Sequence, residues 1–574
     1  DFAIWQVNPV VKVFREDLPR DNTNFGRIQY DGKDAKLKST FRIALAQNEE
    51  EPMQIAVRSA TEHENVSIAI EGLDEANIKA TIGVIGYVPV DHKSSYYGSK
   101  HEDWIQLVPG KQGNTDGWAG WWPDPIKPVN QFSLKPNQTQ PLWFSFRTTK
   151  DSKPGYYPAT ILLKTDEYTW SIPVAIYVWN FALPEVTTFP ALYDIRWNSR
   201  WDRPGMTTRE ARRDMLRFYR EKKICPDHIL VSPEFKYDKN TGKATADFTE
   251  FDKEAAFYFD ELKFPVAYMS GFYIFGWAAP PRATFGEQPF EGEYPWANDE
   301  PRHTLRPEYI KAYQAKLKLF MDHCREKGWD KKFVLYISDE PHYSHQYVKD
   351  QMKALCKMIK EVEPDLPIFS STWGHCKDWD GYISLWGAGH YGCFPEAEII
   401  ERQKQGDKFW FTTDGQMCTD TPFCAIERLL PHYCFKYNVD AYEFWGATWL
   451  TYDPWKYGWH AFIKQSSAPH IKPSWTRYPA GDGYLIYPGK DFSDYKPVTS
   501  IRLEAARDGV DDHQYLTMLK QRSDDKNAMA LLEEAQKLVS MPSPGGRYST
   551  RILPDPDQLH IIRLRIGEFL AVEQ

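Results

Sequence analysis

Beyond Pro184 the chain settles into one rhythm: apolar runs of strand length alternate with amphipathic stretches of helix length. A continuously apolar run reads as a strand covered on both faces, and alternation with helices implies parallel strands. Eight such runs occur: FPALYDIRW (189–197), CPDHILVSP (225–233), FPVAYMSGFY (264–273), KFVLYISDE (332–340), LPIFSSTW (366–373), YISLWGAGHY (382–391), KFWFTTDGQ (408–416) and VDAYEFWGATWL (439–450). Between them, TTREARRDMLRFYREKK, PEYIKAYQAKLKLFMDHCREKG and SHQYVKDQMKALCKMIKEVEP carry the helical spacing, and the second stops at Gly328. Eight strand–helix units predict a (β/α)8 barrel.

The first 184 residues follow a different rule. MQIAVRSA, NVSIAIEGL, KATIGVIGYVPV, PLWFSFRTT, YPATILLKT and WSIPVAIYVWNF alternate or carry β-branched runs, with Asn, Asp, Gly and Pro between them. Short strands at this spacing with no helix among them predict an antiparallel β-sandwich. The expected organisation is therefore α/β plus all-β. A sandwich at 1–184 buttresses a TIM-like barrel at 185–523, and a helical extension at 524–574 packs on the barrel. Within the barrel's last segment, GDGYLIYPG reads as a hairpin or extended loop. SIRLEAARDGVDDHQYLTMLKQR reads as a closing helix with a break expected at Gly509.

Charge and composition narrow the function. A net charge of −9 argues against a nucleic-acid or anionic-membrane partner, both of which need clustered Lys and Arg. No apolar run approaches the ~20 residues of an integral membrane segment. The eight cysteines form no CxxC pair and read mainly as small buried apolar residues, so neither a zinc ribbon nor any other metal site is expected. The chain starts at Asp1 rather than Met, which fits a removed signal peptide and an extracytoplasmic location. Many of the 22 tryptophans sit beside Gly, Asp, His or Pro, as in SSTWGH, SLWGAGHY and FWGATWLTYDPW. Flat rings beside polar groups suit sugars, whose C–H faces stack while their hydroxyls hydrogen-bond. The expected partner is a glycan or glycolipid substrate; oligomeric state is not readable.

Catalytic groups of a parallel barrel gather at the C-terminal ends of its strands. There the fourth run ends in Asp339-Glu340, the fifth in Trp373 and His375, and the sixth in Trp386 and Tyr391. The seventh ends in Asp414, and the eighth carries Tyr442, Glu443, Trp445 and Trp449, with Tyr452 just beyond. The long segment 274–305 adds Trp277, Tyr294 and Trp296 as candidate walls. Two adjacent carboxylates where a buried strand stops are the strongest of these signals. Like charges so close raise one another's pKa, which suits a proton donor. Neighbouring strand residues point to opposite faces, so they are poorly placed to flank a sugar as acid and nucleophile. They are better placed for a substrate-assisted route, in which the sugar's own 2-acetamido oxygen attacks the anomeric carbon. A glycosidase using Asp414 or Glu443 as nucleophile, and a non-catalytic carbohydrate-binding protein, are the alternatives.

The combination of ALAQNEEEPMQIAV, YISDEPH, YEFWGATW and GDGYLIYPG with SIRLEAARDGVDD resembles glycoside hydrolase family 123, the β-N-acetylgalactosaminidases, over most of the chain. The resemblance implies that Glu340 is the general acid/base and that Asp339 orients the acetamido group. It further implies retention through an oxazolinium intermediate, release of terminal β-linked N-acetylgalactosamine, and no cofactor.

Overall fold

A computed structural model describes residues 2–19, 27–30, 40–73, 77–90, 120–294, 300–390, 392–413, 417–450, 452–456, 462–464, 475–477, 479–541 and 549–572. The N-terminal region is a two-layered sandwich. One sheet runs in the order Arg27–Tyr30, Phe2–Val7, Glu50–Ser59, Thr139–Arg147, Lys79–Val90, Gly120–Lys127. The other runs Phe41–Gln47, Thr169–Ala182, Gly155–Lys164, His63–Glu71, Gln131–Leu134. Period-two burial builds it: along Thr169–Ala182, Trp170, Ile172, Val174, Ile176 and Val178 point inward and meet Ile4, Ile55 and Phe144 of the first sheet. Pairing is antiparallel except where Phe41–Gln47 runs parallel to Thr169–Ala182.

All eight predicted runs form the barrel: β1 (Ala191–Tyr193), β2 (Cys225–Pro226), β3 (Ala267–Tyr268), β4 (Phe333–Asp339), β5 (Ile368–Trp373), β6 (Leu385–Gly389), β7 (Lys408–Thr413) and β8 (Ala441–Phe444). Parallel ladders join β1 to β2 and to β8, and run from β3 through β8. A single parallel bridge between His228 and Tyr268 completes the ring between β2 and β3. Leu192, Val334, Phe369, Leu385, Trp410 and Ala441, one from each of six strands, pack together as the filled interior.

Helices α1 (Thr208–Glu221), α2 (Thr249–Ala256), α3 (Pro307–Lys327), α4 (Gln346–Lys360), α5 (Glu396–Lys404), α6 (Ala425–Lys436) and α7 (Ile501–Lys520) surround the ring. Local chemistry sets their ends. Thr207 and Glu210 form a capping box at α1, and α3 starts on Pro307 and stops at Gly328, whose φ is 73°. Between β5 and β6 only a 3-10 turn, Lys377–Trp379, occupies the helix position, so the eight-unit regularity breaks there.

Helix α7 passes unbroken through Gly509, with no break at the glycine that the sequence marks for one. A Cβ at that position would lie 2.5 Å from the Arg428 carbonyl oxygen, so glycine serves the close approach of α6 rather than a helix end. Gly481–Gly489 is a turn-rich extended loop bridged to Ala447 and Val498 rather than a hairpin.

Outward-facing Ile85, Val88, Ile126 and Trp143 of the six-stranded sheet join the barrel's own apolar cluster, so the sandwich braces the barrel. The C-terminal helices α8 (Lys526–Gln536) and α9 (Pro556–Val572) pack on α7 and on the sandwich strand carrying Trp179 and Phe181, not on the barrel alone. No helix among the described residues is long and apolar enough to cross a membrane.

Candidate active site

The carboxylates at the end of β4 owe their geometry to a bulge. Tyr336 pairs with Phe369, whereas Ser338 pairs with Ser370, so β4 carries one extra residue between them. Strict alternation would put Tyr336 and Asp339 on opposite faces. The bulge puts both on the barrel side, and the Tyr336 hydroxyl donates to Asp339 Oδ1 at 2.9 Å. Ser371 Oγ on β5 donates to the same oxygen at 2.8 Å. Oδ2 takes no hydrogen bond from the described residues.

Glu340 leaves the strand with φ at 42°, a left-handed conformation that a glutamate adopts only under local compulsion. Its amide is tied to Ser371, donating to the carbonyl at 3.1 Å and to Oγ at 3.2 Å. Two indoles hold the side chain. Trp373 Nε1 donates to Oε1 at 2.7 Å and Trp277 Nε1 to Oε2 at 3.0 Å. Both tryptophans also have left-handed backbone, at φ 62° and 55°, so three strained residues converge on one carboxyl group. Trp277 is placed by a short strand, Phe275–Gly276, that pairs with Ser338 and Asp339. Its amide donates to the Asp339 carbonyl at 2.8 Å. Burial, and then the charge of Asp339, push Glu340 above the ordinary carboxyl range, while the two indole donors pull it back.

The rest of the mouth is acidic too. Asp194, just past β1, pairs with the Arg196 guanidinium, which also lies over the Trp445 and Trp449 rings at 5.5 and 5.2 Å. Burial and the nearby Asp227 push Asp194 up to about 7 against the pull of Arg196. Asp227 Oδ1 accepts from the Ile195 amide at 3.2 Å and hydrogen-bonds His228 Nδ1 at 2.6 Å. Burial opposes the charged form of His228, yet its pKa rises because Asp227 lies against the ring. Asp194, Asp227 and His228 bring possible ligand atoms within 4.8 Å of one another, a spacing a metal ion could use. The Arg196 guanidinium already occupies Asp194.

Several predicted site residues meet at this mouth: Asp339, Glu340, Trp373, Glu443, Trp445 and Trp449. Glu443 is half-buried, and its charge bears on the lumen tyrosines Tyr268 and Tyr336. Tyr452 is 38% exposed beyond β8. Three others face away. Trp386 is fully buried and donates its indole N–H to Asp407, at the opposite end of the strands. His375 is clamped between Asp380 at 2.7 Å and Glu398 at 2.8 Å, its ring against Trp386 and Phe394. Tyr442 is buried outside the ring, sharing a hydroxyl hydrogen bond of 2.7 Å with Tyr193. All three are packing residues of the layer between strands and helices. Asp414, Tyr391 and Trp296 lie outside the described residues. The sequence reading missed Tyr336, Ser371, Asp194, Asp227 and His228. The last three sit just past strands one and two, and a search of every strand end for polar groups would have found them.

Seven of the eight cysteines are buried, as small apolar residues are.

Residues 232–519 match the family model described as glycoside hydrolase 123, catalytic domain, and residues 21–165 match the glycoside hydrolase 123 N-terminal domain. No curated protein matches. Among solved structures the chain is similar to a family 123 glycoside hydrolase from Clostridium perfringens, studied for glycolipid glycan hydrolysis. That likeness covers 100% of this chain and 99% of the other, with a TM-score of 0.69 and 14% identity, and concerns the fold. A GH2 β-galacturonidase from Eisenbergiella tayi aligns over 80% of this chain and 69% of its own at a TM-score of 0.29 and 9% identity, too distant to bear on the site.

Proposed function

The chain belongs to glycoside hydrolase family 123, and on that premise we propose that it is a retaining exo-β-N-acetylgalactosaminidase working by substrate-assisted catalysis. The observation that carries the reading is the unequal treatment of two adjacent carboxyls. Asp339 is fixed through Oδ1 alone, which leaves Oδ2 to accept the acetamido N–H of a substrate. Glu340 is half-buried beside that charge with a raised pKa, the condition of a general acid. In the first step the acetamido oxygen bonds to the anomeric carbon, the glycosidic C–O bond breaks, and the Glu340 proton goes to the leaving oxygen. Asp339 stabilises the oxazolinium cation so formed. Glu340, now a carboxylate, takes a proton from water as it opens the ring on the same face, and configuration is retained. The glycan ends of glycolipids are the proposed substrates, in keeping with the subject of the Clostridium study. An extracytoplasmic location belongs to the same reading, and cell fractionation tests it.

The test is release of p-nitrophenol from β-N-acetylgalactosaminide, β-N-acetylglucosaminide and plain β-galactoside, with Glu340→Gln as control. Turnover of the acetamido substrate alone, lost in the variant, is expected. Turnover of the plain galactoside would require a protein nucleophile and sink the substrate-assisted route, with Glu443 and Asp414 next to be replaced.

A further inference from the structure

Beside the catalytic pair lies a cavity of about 350 Å³ lined by Asp227, His228, Tyr268, Tyr273 and Tyr336. Two of its walls belong to the catalytic carboxylate: Tyr336 donates to Asp339 Oδ1, and the Tyr273 hydroxyl lies at the Asp339 backbone. The cavity therefore opens directly onto the reacting end of the barrel. Tyr268 forms its inner limit. Its ring packs on Phe369 and Trp410 of the filled interior, at 5.4 and 5.9 Å between centroids, so nothing passes through.

The Tyr268 residue is only 6% exposed, yet its hydroxyl has no hydrogen-bond partner among the described residues. A buried hydroxyl left unmatched in a native protein calls for an explanation, and here it lines an open cavity. After burial itself, what most disfavours ionisation of that hydroxyl is the charge of Glu443, Asp227, Asp339 and Asp194, so four carboxylates from four different strand ends surround it. Asp227 Oδ2 likewise takes no hydrogen bond from the described residues.

We propose that this cavity is the pocket for the hydroxyl-bearing face of an uncharged terminal hexosamine, with Asp227 and Tyr268 as its specificity-determining contacts. The proposal rests on the glycosidase reading above and names the side of the site that reads the sugar. Ionised carboxylates only accept, and a neutral sugar presents a ring of O–H donors whose bonds to them are short and strong. Tyr268 supplies a hydroxyl that both donates and accepts. A uronic acid or sulfated sugar brings a like charge against Asp227 and Asp339, which no guanidinium pairs among the described residues, and is disfavoured. A divalent cation is a poorer fit, because Arg196 already pairs with Asp194. The closed inner end admits a chain terminus and not the middle of a chain.

Binding can be separated from turnover by titrating the Glu340→Gln chain with free N-acetylgalactosamine in a calorimeter. Adding Asp227→Asn or Tyr268→Phe, each checked for an unchanged melting temperature, is expected to weaken binding by about tenfold or more. N-acetylgalactosamine 6-sulfate is expected to bind far more weakly than the neutral sugar. Unchanged affinity in both variants, equal affinity for the sulfated sugar, or no binding to the Glu340→Gln parent overturns the pocket. So does thermal stabilisation by calcium or zinc that Asp227→Asn abolishes. The two readings fail differently. A wild-type chain that binds the sugar but cleaves no glycoside refutes the hydrolase mechanism and leaves the pocket standing. A chain that cleaves with unchanged KM in Asp227→Asn and Tyr268→Phe refutes the pocket alone.

Discussion

Buried acids gather in two regions of this molecule, and their partners differ. At the seam between sandwich and barrel, carboxylates meet guanidinium groups. Arg502 grips Asp124 through both oxygens at 2.8 and 2.9 Å with neither side chain exposed, and Tyr487 adds a third bond. Arg507 reaches Glu50 and Glu504, Arg428 reaches Asp508 and Asp512, and Arg563 reaches Glu49 and Glu51. Burial alone would raise these acids, but the arginines hold Asp124 and Glu50 below their ordinary range and Asp512 at about 2; Glu51, Asp508 and Asp511 (about 6) stay raised. At the barrel mouth, Asp339 is held by hydroxyls and Glu340 by indoles, neutral donors that orient a carboxyl without cancelling its charge. Cation pairing spends the charge on cohesion, whereas neutral donors keep it for chemistry.

That contrast can be broken most directly at Glu340. Glu340→Gln is expected to lower kcat by about 10²–10⁴-fold while the melting temperature holds or rises, since a strained acid beside another acid gives the fold little. Retained activity with a lower melting temperature would make the mouth a structural cluster like the seam. Conversely, Arg502→Ala leaves Asp124 buried without its cation and is expected to cost about 3–5 kcal/mol in urea unfolding. A loss below about 1 kcal/mol would show that the seam pairs are not what joins the two domains.

Gly509→Ala is a milder probe of the same seam. Its methyl would sit 2.5 Å from the Arg428 carbonyl oxygen, so α6 and α7 must part, at about 1–3 kcal/mol. Neutral stability there would mean that the helix contact yields freely. The smallest effect concerns pH. The alkaline limb of kcat/KM follows deprotonation of the general acid in the free enzyme. The Trp373 indole favours the carboxylate form, so Trp373→Phe raises the Glu340 pKa and moves that limb to higher pH. A limb that shifts to lower pH, or stays put, removes Glu340 from the acid role.

Much of the fold was legible because its signals are local. Each of the eight apolar runs contains its barrel strand, and the alternation along 169–182 places five side chains in the sandwich core. The acid pair was legible for the same reason: two charges at the end of an apolar run are a contradiction visible without a structure. What periodicity could not give was the face. His375 follows the end of β5 as expected, whereas Trp386 and Tyr442 are the second residues of β6 and β8, away from the C-terminal mouth. A strand in a covered barrel is apolar on both sides, so sequence does not say which residues look inward.

The sequence by itself determined the elements, their order and the residues of the acid pair, since helix and strand periods and turn residues act over a few positions. Only the tertiary structure decided how those acids are used. One extra residue at Ile337 rotates Asp339 onto Tyr336 and Ser371. Three left-handed backbones from β4, β5 and the segment after β3 bring Trp277 and Trp373 onto Glu340. Asp194 and Asp227 become neighbours because β1 pairs with β2, and Tyr268 joins them because a parallel bridge closes β2 against β3. Such contacts join residues far apart in the chain, 63 positions in the case of Trp277 and Glu340. Long-range packing sets them, and no local rule of the chain encodes them.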